Sequence, residues 1–185
     1  MSKKIFATLI ILFIISVSLS AEETEAPEAF SFILGPRVGC SCILTTEENF
    51  TSSLTPYFSS GNYFPVITLF GVNFEQRILL GETRSHFAFQ EVVLLVGLEQ
   101  GMILPDATLL IGYRDSSGFE FGIGPILHLS GIGVITAVGW TFSYRGVYIP
   151  VDISLVLPNK EKPIQIGFTT GFNFLTHKKE PEDKK

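Results

Sequence analysis

The chain has 185 residues, 46% hydrophobic and 17% charged, with a mean hydropathy of +0.38. Soluble domains carry about 25% charged residues, so the composition excludes a disordered chain and fits one compact domain. The formal charge of −5 becomes −7 once Lys3 and Lys4 are set aside with the leader, which leaves no basic surface for nucleic acid.

Lys3 and Lys4 precede an apolar stretch from Ile5 to Leu19, and Ser18, Ser20 and Ala21 supply small side chains for a signal peptidase. Residues 1–21 read as a cleaved signal peptide, too short for the ~18 to 20 residues of a spanning helix. An acidic segment, 22–29, follows. No Cys lies near the cleavage point, which excludes lipid attachment there. Beyond the leader the longest clean apolar run is Val92 to Leu98. No helix there can cross a bilayer, and the other structure able to do so is a closed β-barrel, in which every backbone group is paired.

Apolar residues instead recur with period two. From Phe30 to Leu44 the even positions are apolar (Phe30, Phe32, Leu34, Pro36, Val38, Cys40, Cys42, Leu44), and the odd ones mostly small or polar. Further strands are predicted at about Tyr63–Leu80, His86–Glu99, Ala107–Arg114 and Phe119–Leu129, then Ile132–Tyr144, Val147–Leu157 and Ile164–Leu175. Short connections such as Asp115 to Gly118 and Arg145 with Gly146 predict antiparallel hairpins between sequential neighbours. The expectation is an all-β, eight-stranded antiparallel up-and-down transmembrane β-barrel over residues 30–175, with a charged tail at 176–185. The long connection from Thr45 to Asn62 is the expected outward loop, able to carry an extracellular ligand contact.

Charge placement decides which face is outside. Every Lys falls outside the predicted strands. On the small polar face Arg37, Arg77, Arg114 and Arg145 meet Glu75, Glu91, Glu99, Glu120 and Asp152, and Arg suits confined pairing because its planar fork binds carboxylates bidentately. This predicts an ion network in a lumen narrowed by glycines such as Gly35, Gly39, Gly122 and Gly139. Aromatic residues gather toward one rim: Phe30, Phe32, Phe74, Tyr113, Phe119, Phe121, Trp140, Phe142, Tyr144, Phe172 and Phe174. A membrane barrel places such a girdle at the interface, whereas core aromatics of a soluble sandwich scatter along strands.

On these features the chain resembles the small outer-membrane β-barrels of diderm bacteria, of the type of the OmpA membrane domain, OmpX and OmpW. The resemblance covers about Phe30 to Phe174 and rests on strand count, alternation, the Gly35-Pro36-Arg37-Val38-Gly39 and Gly122-Ile123-Gly124-Pro125 stretches, and a last strand with Phe168, Phe172 and Phe174. It implies an outer-membrane location, lipid and the barrel-insertion machinery as partners, and a non-enzymatic structural, surface-interaction or small-molecule role. Many such proteins end on the final Phe, whereas this chain continues through Leu175, Thr176 and His177.

Three further groups of residues are candidate sites. Cys40 and Cys42 share the apolar face about 6.5 Å apart by strand rise, too far for a disulfide, so free thiols are expected. His86, His128 and His177 lack metal-ligand spacing, and no metal or cofactor is expected. His128-Leu129-Ser130 is similar to the His-x-Ser of lipid A deacylase barrels, but Gly131 and Ile132 replace that motif's neighbours and Phe142 stands where an acid is expected. A lipid A-modifying enzyme and a soluble periplasmic ligand-binding barrel therefore stay open beside the membrane-barrel reading.

Overall fold

The computed structural model describes residues 30–45, 47–54, 63–80, 85–128, 131–157 and 163–175. The predicted signal peptide, acidic segment and tail lie outside the described residues, as do Ser130 and residues 55–62 of the long connection.

In chain order come β1 (Phe30–Ile43), α1 (Glu47–Leu54), β2 (Val66–Leu79), β3 (His86–Val96), a 3₁₀ turn (Leu98–Gln100), β4 (Leu104–Arg114) and β5 (Phe119–His128). Then follow β6 (Gly131–Tyr144), β7 (Val147–Val156), β8 (Gln165–Gly171) and β9 (Asn173–Leu175). β8 and β9 hold one register, with Gly171 opposite Arg37 and Phe174 opposite Leu34, so together they form one barrel strand. Sequential strands pair antiparallel, and β1 pairs with β2 on one side and with β8 and β9 on the other. The sheet is thus a closed, eight-stranded, up-and-down barrel, which leaves no open edge.

Alternation fixes which side chains fill it. In β1, Ile33 is 0% exposed and its neighbour Leu34 is 47% exposed. The same contrast runs along every strand, inward at odd positions of β1, β2, β6 and β8 and at even positions of β3, β4, β5 and β7. Exposed apolar side chains project outward from all eight barrel strands, Val38, Phe70, Leu95, Ile111, Ile123, Val134, Ile153 and Phe168 among them.

Both chain ends of the barrel lie at one rim. There the connections are short: 80–85, 115–118 and 145–146. The other rim carries 44–65, 97–103, 129–130 and 157–164. Arg145 (φ 49°) and Gly146 (φ 81°) form the two-residue turn between β6 and β7, the geometry that matches strand twist. At the opposite rim Gly97 (φ 82°) and Gly101 (φ 71°) stop β3 three residues before the predicted Glu99 and turn the chain so that Met102 is buried. Gln100 there acts as a substitute strand partner, accepting from Phe64 N–H at 2.8 Å and donating to the carbonyls of Phe64 and Val66. Met102, 1% exposed, joins Ile67, Leu69, Leu94 and Val96 in an apolar plug at this rim.

Candidate functional site: the charged lumen and its mouth

Glu75, fully buried on β2, is the centre of the lumen network. Arg114 binds it bidentately, Nη1 to Oε1 at 3.0 Å and Nη2 to Oε2 at 3.2 Å. Arg77 Nε donates to Glu75 Oε1 at 2.7 Å, and His86 Nε2 stands 3.7 Å from the same oxygen. Arg114 also donates Nε to Glu120 Oε2 at 3.0 Å, and the Thr141 hydroxyl donates to Glu120 Oε1. Two guanidiniums therefore face two carboxylates, so the charges of this buried cluster balance. Such geometry offsets desolvation only while every member stays in place.

Deeper in the lumen Arg37 Nη1 donates to Asn173 Oδ1 at 3.1 Å. Asp152 lies with Arg37 around a cavity of about 80 Å³, which Ser154, Thr169 and Gln90 also line. Gly139 faces Asp152 across the β6–β7 pair, and a Cβ at 139 would stand 2.1 Å from Asp152 Oδ1, so only glycine leaves room for this carboxylate. Toward the loop rim His128 Nδ1 meets Asp106 Oδ2 at 2.9 Å. Beyond them lies the apolar plug.

Six predicted network residues thus sit in the lumen: Arg37, Glu75, Arg77, Arg114, Glu120 and Asp152. Three do not. Glu91 is half-buried on the outer face, because its cross-strand neighbours Phe74 and Leu109 both point outward. Glu99 lies past the end of β3 in the 3₁₀ turn, where its carboxylate accepts from Thr68 N–H at 3.1 Å and from the Thr68 hydroxyl. Burial raises the Glu99 pKa, but hydrogen bonds from the Thr68 hydroxyl, neighbouring amides and Gln100 together hold it below the usual glutamate value. Arg145 is exposed in its turn, over the Tyr144 ring at 5.3 Å.

Sequence reasoning missed His86, Asn73, Asn173 and Asp106. The first three share the parity of their strands' buried positions, a usable signal. Asp106 hides behind Pro105, which reads as a turn, yet Pro105 pairs with Leu95 inside β4.

The girdle residues other than Phe30 lie on the outer face in the half nearer the short turns. Phe32 and Phe74 rings are 6.4 Å apart, Tyr113 and Phe121 6.2 Å, and Phe119 and Trp140 6.1 Å. Phe87, not predicted, extends the row to Tyr113 at 6.0 Å. Phe30 is placed by its backbone, opposite Ile78. Cys40 and Cys42 are free thiols. Among the described residues no three His, Cys, Asp or Glu side chains are grouped to hold a metal ion, and no helix is long and apolar enough to cross a membrane.

The short-turn rim opens on a second cavity, of about 510 Å³. Arg77, Arg114, Arg145 and His86 contribute to its wall, with Tyr148 and Ser31. Asp115 is the wall's one carboxylate among the described residues. It accepts from the Ser117 amide and hydroxyl at 2.8 and 2.6 Å and from Phe119 N–H at 3.1 Å, and the Ser117 hydroxyl first, then these amides, hold its pKa below the usual aspartate value.

No protein-family model matches the chain, and neither does any curated protein or solved structure.

Proposed function

We propose that the protein is an integral outer-membrane β-barrel with a side-chain-filled lumen, reaching the membrane through a cleaved signal peptide and presenting the 45–62 connection for surface interaction. One observation carries this reading: apolar side chains face outward on all eight barrel strands, while every charged strand residue except Glu91 faces inward. A soluble domain rarely exposes more than a few hundred Å² of contiguous apolar surface, and a ring of exposed Leu, Ile, Val and Phe needs a non-aqueous neighbour. Lipid acyl chains supply it, and a lipid-facing band bordered by aromatic rings is the pattern of small membrane barrels. The longest connection, 44–65, stands at the rim opposite the chain ends of the barrel, and such barrels keep their longest loops outside.

The filled interior argues for an anchor over a conduit. The ion cluster spans one end and the Met102 plug the other, with about 80 Å³ between them. The proposal assigns no chemistry to His128, whose Nδ1 is engaged by Asp106 within the lumen, away from the face where acyl chains would lie.

Expression of the full chain in a diderm host, followed by alkaline carbonate extraction and gel migration before and after boiling, tests the reading. Detergent-only extraction with a heat-dependent mobility shift is expected. Recovery in the carbonate-soluble fraction would overturn it.

A further inference from the structure

We propose that the 510 Å³ mouth at the short-turn rim is a binding site for a small carboxylate, with Arg77 and Arg145 as its cationic contacts. The inference concerns the rim and holds whether or not the barrel stands in a membrane.

The charges reaching the cavity differ from those beneath it. Glu75 and Glu120 form no part of its wall, and both are committed to Arg114. Arg77 stands two residues nearer the strand end than Glu75 and gives it only Nε. Its guanidinium carbon lies 4.4 Å from the centroid of the Tyr148 ring. A guanidinium lying over a ring keeps its in-plane N–H groups for acceptors at its edge. Among the described residues Arg77 Nη2 is buried with no hydrogen-bond partner, at a cost that natural structures rarely leave unmet.

Arg145 forms no ion pair among the described residues and stands at the same wall. The opposing carboxylate, Asp115, already accepts three hydrogen bonds within its own turn. What remains for a guest is a polar concavity with unspent guanidinium donors, and a planar carboxylate is the acceptor whose geometry matches a guanidinium edge.

Such a carboxylate has two sources. It can be a free solute, or it can come from the chain itself, because Glu22, Glu23, Glu25 and Glu28 precede β1, which begins at this rim beside the wall residue Ser31.

Isothermal titration of the detergent-folded full chain with sodium succinate at constant ionic strength tests the site, repeated on a chain lacking residues 22–29. Saturable binding is expected in at least one form. Binding equal in both forms assigns the site to a free carboxylate, and binding that appears or tightens on removal of 22–29 assigns it to the chain's own glutamates; both support the proposal. Arg77→Gln should weaken binding about tenfold, as expected for losing a charged hydrogen bond. Because that change also touches the Glu75 cluster, Arg145→Asn, which suits the positive φ of its turn, serves as the fold-neutral variant and should weaken binding several-fold. Absence of saturable binding in both forms, or affinity unchanged by Arg145→Asn in a chain that binds, would overturn the proposal.

Discussion

Arg114 and Glu75, 39 residues apart in the chain, meet through two parallel hydrogen bonds that join β4 to β2 across the lumen with β3 between them. Both residues are buried, so removing either leaves the charge of the other without its main partner. Arg114→Ala should lower stability by about 3 to 5 kcal/mol, because Glu75 and Glu120 would both lose their main counter-charge. Combining it with Glu75→Gln should recover part of that loss, and chemical unfolding of the single and double variants measures it.

The sense of the barrel can be read from two adjacent positions on β6. Ala137 points inward between Gly122 and Ser154, and Val138 points outward, 46% exposed. Ala137→Trp should overpack the lumen and cost roughly 1 to 3 kcal/mol or prevent folding, whereas Val138→Trp should fold in detergent with normal yield. The reverse ranking of folded yields would mean that the packed face is the outer one.

Asp152 and Gly139 supply a test of lumen packing without any change of charge. Gly139→Ala sets a methyl group where Asp152 Oδ1 now lies, so the carboxylate must move or the β6–β7 pair must part. A loss of about 1 to 3 kcal/mol is expected in the unfolding midpoint, against a few tenths for Gly146→Asn, a turn position with open space around its Cβ site.

Glu99 makes one rim connection pH-sensitive. Its folded pKa is depressed, so its contribution is present above the unfolded glutamate value of about 4.3 and is lost as pH falls toward the folded value. Amide exchange at Gly97 and Thr68, whose backbones are joined at 3.1 Å, should quicken below about pH 4 beyond the trend of other strand amides. In Glu99→Gln that extra quickening should vanish.

Much of this molecule is legible in its sequence because a closed barrel repeats one rule. Strand β6 shows Val134 to Tyr144 on one face and Ile135 to Ser143 on the other, and nothing in the fold overrides that period. The rule fails where the backbone leaves the extended state. Gly97 at φ 82° ended β3 early and carried Glu99 out of the lumen, and the Arg145 turn did the same for a residue whose charge fitted the network. In β3 the chemistry of an acid predicts an inward Glu91, yet Ala88, Leu94 and Val96 fix even positions as the buried set and put Glu91 outside. Asp106 went unseen because proline ordinarily closes a strand, while here Pro105 stands in one. The mouth is less readable still, since its wall joins the turns after β4 and β6 to the ends of four or more strands, a proximity that only closure creates.

The central claim is that the outer face meets lipid, and Trp140 reports on it directly because it is the chain's one tryptophan and is half-exposed on that face. The folded protein should be reconstituted in vesicles whose acyl chains carry bromine near the headgroup, and its fluorescence compared with that in unbrominated vesicles. Strong quenching by the brominated lipid, with little added quenching by aqueous iodide, is the predicted result. Fluorescence indifferent to brominated chains and fully quenched by iodide would contradict the account.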